Sequence, residues 1–154
     1  MAIGILEVML GNAKGLGCSD FFGGMDPYVL VQYKSQEHKS SVARVEGKTS
    51  VWNEKIAVKV EYPGADEHYK LILKIMDKDT FSADDFIGQV TIYIRDLLAQ
   101  GVDNGTAELP SQKYSVVTAD QSYLGEVQVA LTFTAKVPEE IDMEEVGGWR
   151  QSDY

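Results

Sequence analysis

Apolar and polar residues alternate with a period of two along much of this chain, as they do in strands that bury one face. Leu6, Val8 and Leu10 alternate with Glu7 and Met9, which predicts a first strand. Tyr28 to Tyr33 reads as a second strand, and Ser40 to Val45 as a shorter, weaker third. Ile56, Val58 and Val60 alternate with Lys55, Ala57 and Lys59 on a strand that follows Val51-Trp52-Asn53-Glu54. Tyr69 to Met76, an apolar run broken by lysines, and Phe86 to Ile94 supply two more. Lys113 to Val117 is a weak strand. The last is the clearest, with Val127, Val129, Leu131 and Phe133 set against Glu126, Gln128, Ala130 and Thr132. Turn residues punctuate the series at Gly11 to Gly17 and at Pro63-Gly64-Ala65-Asp66. One helical turn or two is predicted from Arg95, with Gly101 as its terminator. About eight short strands with almost no helix describe an all-β antiparallel sandwich or barrel. No internal repeat or interdomain linker is visible. Beyond Pro138 the pattern stops, and a mobile tail is expected.

Composition narrows the class. A chain of 154 residues, 44% hydrophobic and 10% aromatic, is one folded domain rather than a disordered or fibrous protein. Its apolar runs are too short for a membrane span. Met1-Ala2-Ile3-Gly4-Ile5-Leu6-Glu7 lacks the basic segment of a secretory signal, and Cys18 is the single cysteine. A reducing, cytoplasmic setting is therefore expected. The net charge of −10 argues against binding to nucleic-acid backbones. That charge is concentrated. Val137 to Tyr154 carries six acids against Arg150, and five aspartates in two loops account for the remainder.

Those loops hold the candidate chemistry. Asp77 to Asp85 packs four carboxylates into nine residues between two predicted strands. Like charges at this density repel one another unless a cation sits among them. Oxygen ligands without cysteine point to a hard cation, calcium before magnesium, because flexible loops supply irregular coordination more easily than a strict octahedron. A solvated acidic turn is the alternative reading of this stretch alone. A second loop, Asp20 to Pro27, adds Asp20 and Asp26. An EF-hand does not fit: counting from Asp77, the fifth, sixth and twelfth positions are Phe81, Ser82 and Gly88, and the flanks are strands. His38, His68 and Cys18 suggest no catalytic set, and no enzyme is expected.

The sequence resembles a C2 domain over about residues 3 to 136. Leu16 to Val29, with Asp26-Pro27-Tyr28-Val29, is similar to the family's first calcium loop and the strand after it. Val51-Trp52-Asn53-Glu54 matches a second motif, and Ile75-Met76-Asp77-Lys78-Asp79 with Asp85-Phe86-Ile87-Gly88 a third. The order looks like the permuted type II topology, and the small layout with an acidic tail is most similar to plant elicitor-responsive C2 proteins. The resemblance implies an eight-stranded antiparallel sandwich at 1–136 with calcium loops at one end, and a flexible acidic tail at 137–154. It places Ca2+ ligands at Asp20, Asp26, Asp77, Asp79 and Asp85, a further oxygen at Ser82 and a backbone carbonyl at Lys78. Asp84 receives no role. Phe21 and Phe81 fall where related domains insert into a bilayer, the alternative being that they fold back on the sandwich; burying one contributes about 1.5–3 kcal/mol. The family's basic cluster looks thin, with Lys34, Lys39, Arg44, Lys48, Lys55 and Lys59 scattered among acids. The implied function is calcium-dependent binding of anionic phospholipid membranes by a monomeric signalling module of plant defence, recruited from the cytoplasm when calcium rises. The alternative is a calcium-regulated protein-binding adaptor or trafficking protein that acts through the acidic tail and Trp149.

Overall fold

The computed structural model describes residues 2–16, 26–46, 49–63, 69–79 and 83–136. Asp20, Phe21, Phe81, Ser82, Lys48 and the tail from Val137 lie outside the described residues. The elements in chain order are β1 (Ala2–Lys14), β2 (Pro27–Tyr33), β3 (Gln36–Lys39), β4 (Arg44–Glu46), β5 (Thr49–Tyr62), β6 (Lys70–Asp77), β7 (Asp85–Tyr93), α1 (Arg95–Asn104), β8 (Thr106–Val117) and β9 (Tyr123–Lys136). The strands form one curled sheet in the order β3-β2-β6-β7-β8-β9-β1-β5-β4. The β7–β8 junction is a single residue pair, Gln89 with Val117, and there the sheet turns over on itself. Leu6, Val8 and Leu10 of β1 and Val127, Val129, Leu131 and Phe133 of β9 share one core with Val29, Val31, Leu71, Leu73 and Ile75 from the other half.

At the opposite edge side chains replace the ladder. The Gln36 carboxamide donates to the Lys59 carbonyl at 2.6 Å and accepts the Lys59 N–H at 3.1 Å, as a neighbouring peptide group would. Glu54 accepts the Ser41 N–H at 3.0 Å and the Ser41 hydroxyl at 2.8 Å. This gives the Val51-Trp52-Asn53-Glu54 motif a structural task. Trp52 and Asn53 together oppose Gly11, a bulge with Asn53 at φ 49°, and Trp52 is buried in the core.

The predicted Ser40–Val45 strand is not observed as one: residues 40–43 lie in no strand, Arg44 and Val45 open β4, and β3 ends just before Ser40. β3 pairs with β2, β4 pairs with β5, and Ser40 to Ala43 crosses between the halves. Buried Ser40 pins that crossing: its hydroxyl accepts the Val29 N–H and its own N–H donates to the Val29 carbonyl, each at 2.8 Å. β3, which the pattern did not predict, brings the strands among the described residues to nine. β8 is longer than its weak pattern predicts because only Ala107 and Val116 are buried along it.

The helix also runs past its expected end. Gly101 lies inside α1 and is buried, and a Cβ there would stand 2.2 Å from Cδ2 of Phe133. Gly105 is the terminator, with φ 91° and its N–H donating to the Gly101 carbonyl at 2.7 Å. Glycine at position 101 permits the helix to lie against Phe133 and does not end it. Among the described residues no helix is long and apolar enough to cross a membrane.

Candidate metal centre

Strands β2, β6 and β7 are antiparallel neighbours, and their register sets the site. Pro27 pairs with Asp77, and Asp77 pairs with Asp85. Asp26 immediately precedes β2, Asp77 closes β6 and Asp85 opens β7. The three residues therefore stand side by side at one end of the sheet, on strands about 4.8 Å apart. The Asp77–Asp85 pairing depends on a bulge: Ile75 opposes Gly88 but Met76 opposes Phe86, which leaves Ile87 as the extra residue. Without that insertion Asp85 would slip one position and turn to the other face.

Backbone contacts join the two loops. The Asp26 N–H donates to Oδ1 of Asp77 at 2.9 Å, and the Lys78 N–H donates to the Asp26 carbonyl at 3.0 Å. Asp26 and Asp85 are exposed, while Asp77 and Asp79 are half-buried. Of the residues expected at the site, Asp26, Asp77 and Asp85 stand on neighbouring strand ends, with Lys78 and Asp79 following Asp77 in the chain; Asp20, Ser82, Phe21 and Phe81 lie outside the described residues. Among the described residues no three acidic, histidine or cysteine side chains are grouped so as to hold a metal ion. The side chains of Asp26, Asp77, Asp79 and Asp85 offer carboxylate oxygens, a chemistry that fits a hard divalent cation.

Asp84 is the residue that the sequence left without a role. One carboxylate oxygen accepts the Tyr28 hydroxyl, and the other accepts the Asp79 N–H at 2.9 Å. The hydrogen bond to Asp84, followed by burial, pushes the Tyr28 phenol up to about 12. The same hydroxyl and the Asp79 N–H, with help from Lys39 and Lys78, hold the Asp84 carboxyl below the usual carboxylate range. The Lys39 ammonium sits 4.6 Å from the centre of the Tyr28 ring. A tyrosine in an outward position of β2 was the available signal, but its partner is 56 residues away in sequence.

The cations are regrouped as well. Leu30 pairs with Lys39 on one side and Lys74 on the other, and it alternates with buried Val29 and Val31, so both lysines share the outer face of β3-β2-β6-β7. Lys70 lies on that face by the same alternation along β6. Lys55 and Lys59 belong to β5 in the other half, and Arg44 is paired with Glu46 at 2.6 Å. Next to Asp85, Phe86 is 40% exposed.

Comparison with known proteins decides the family. The C2 domain family model matches residues 4–109. The chain belongs to the C2 domain family. The "16 kDa phloem protein 1" of Arabidopsis thaliana is 48% identical to it, over 99% of this chain and 98% of that one. "Elicitor-responsive protein 1" of Oryza sativa subsp. japonica is 49% identical, over 97% of this chain and 96% of its own length. Among solved structures, a "C2 domain-containing protein from putative elicitor-responsive gene" superposes with a TM-score of 0.68 at 37% identity, covering 90% of this C2 chain and 95% of the other. Neither relative's name states a reaction. Membership makes this C2 domain a membrane- or calcium-related module in general terms.

Proposed function

We propose that this C2 domain binds anionic phospholipid membranes in a calcium-dependent manner. The observation that carries the reading is the placement of Asp26, Asp77 and Asp85 side by side at the ends of β2, β6 and β7, tied by the Asp26 N–H to Asp77. Asp20, Asp26, Asp77, Asp79 and Asp85 would hold the cation, with the Ser82 hydroxyl and the Lys78 carbonyl as further oxygens. Calcium, when bound, supplies positive charge and open coordination positions for a headgroup phosphate. Without it, five crowded carboxylates repel an anionic surface.

The chain's own residues supply the rest. Phe21 and Phe81 would provide apolar anchorage, and the exposure of Phe86, next to Asp85 at the start of β7, supports a bilayer-facing end. Lys39, Lys70 and Lys74 offer charge to anionic lipid along the adjoining face. In this reading residues 1–136 form the binding domain, 137–154 are an acidic tail, and a calcium rise moves a cytoplasmic protein to a membrane. Co-sedimentation with phosphatidylserine-containing and purely phosphatidylcholine vesicles, with calcium or chelator, tests it. Pelleting with anionic vesicles in millimolar calcium alone is expected. Equal pelleting in chelator, or none under any condition, overturns the reading.

A further inference from the structure

We infer that Asp84 is a positioning residue, a brace that ties the connection between β6 and β7 to strand β2 and thereby presets the cation site. Both of its oxygens are committed to the protein. One receives the Tyr28 hydroxyl and the other the Asp79 N–H at 2.9 Å. The two anchors differ in kind. Tyr28 is buried within β2, where its backbone pairs with Met76 of β6. Its ring is further held by the Lys39 ammonium 4.6 Å from the ring centre. Asp79 lies in the loop itself, two residues past the end of β6. Asp84 therefore transmits the rigidity of a core strand to the backbone of a residue expected to bind the ion. The bond to the Asp79 N–H also closes the neck of the loop, since Asp84 precedes Asp85, the partner of Asp77.

Chain order that is fixed in advance need not be paid for when an ion arrives, so a braced loop binds more tightly than a free one. Groups that orient metal ligands from outside the coordination shell typically change metal affinity by about 10- to 100-fold when removed. The inference rests on the calcium reading above, and it makes a claim that the reading alone does not: Tyr28, which is no ligand and carries no charge, controls the affinity.

Calorimetric titration of the full chain with calcium chloride tests this in wild type, Tyr28→Phe, Asp84→Asn and the double variant, with Asp79→Asn as the ligand control. The brace predicts that Tyr28→Phe weakens calcium binding about 10-fold or more. The double variant should lose little beyond Asp84→Asn, because the two residues act through one bond. If Asp84 is instead a ligand, Tyr28→Phe frees its carboxylate and leaves affinity unchanged or raises it. That result overturns the brace. Calcium-free hydrogen exchange at the Asp79 amide supplies a second readout, expected to quicken in Tyr28→Phe while amides of β6 keep their protection. If wild type takes up no calcium, the functional reading falls, and unchanged exchange at Asp79 sinks the brace separately.

Discussion

Asp77 serves two purposes with one carboxylate. Its Oδ1 accepts the Asp26 N–H at 2.9 Å, so the side chain holds the first loop's exit while standing among residues suited to a cation. Asp79 is tied by its backbone instead, to Asp84. An ion that binds only the folded arrangement stabilises it by about 2.7 kcal/mol at a hundredfold excess over Kd. For a chain of this size that raises Tm by roughly 5–10 °C. Asp79→Asn should abolish most of that rise in calorimetric scans with and without calcium, and an undiminished rise would put the ion elsewhere. Tyr28 gives a second residue-level test. Its neutral phenol is favoured in the fold, so the stability it adds is complete below about pH 10 and is lost as pH rises through about 12. Absorbance titration should show a late tyrosine step that Tyr28→Phe deletes and Asp84→Asn moves back toward the ordinary range; a titration unaltered in both variants contradicts the bond. The dense charge of Asp77 to Asp85 was visible in sequence, and the resemblance to C2 domains added Asp26 and set Asp85 apart from Asp84. The purpose of Asp84 was not legible, since it exists only once β2, β6 and β7 are paired.

At the scale of elements, strands with a clean buried face were legible and those without were distorted. β9 and β5 alternate because one side meets the core. β8 has only two buried residues, and the β3–β4 region changes partners midway, so neither leaves a two-residue period to read. The helix shows a different ambiguity. A glycine in a helical pattern can end the helix or admit a neighbour, and local sequence does not distinguish these. Here the neighbour is Phe133, from the far end of the chain. Gly101→Ala would ordinarily gain about 1 kcal/mol from helix propensity. In this setting the new methyl meets the Phe133 ring, with 2.2 Å between Cβ and Cδ2. Overpacking of this kind costs about 1–3 kcal/mol, so a net loss of stability is expected in urea denaturation. Gly105→Ala meets nothing within 4 Å and pays only for its left-handed backbone at φ 91°. Its loss should be the smaller one; the reverse order would mean that α1 does not pack on Phe133 as described.

Across the whole molecule, a net charge of −10 conceals a division of labour. Half of the acids lie in the two loops at the Asp77 end and in the tail, while Lys39, Lys70 and Lys74 lie on the outer face of β3-β2-β6-β7 with Glu37 among them, running away from that end. On the proposed reading, an anionic bilayer at the Asp77 end would meet repulsion there and attraction along one flank, and a bound cation would remove only the first. Lysines near an anionic surface contribute about 1 kcal/mol each, and the effect fades beyond a Debye length of about 8–10 Å. Lys70→Ala with Lys74→Ala avoids Lys39, whose ammonium supports Tyr28. The pair should weaken binding to phosphatidylserine vesicles by about thirtyfold at low salt, less at high salt, with calorimetric calcium affinity in solution unchanged. Vesicle binding that keeps its full strength and its salt dependence in the double variant would mean that the domain docks by its loop tips alone, with this face turned to the solvent.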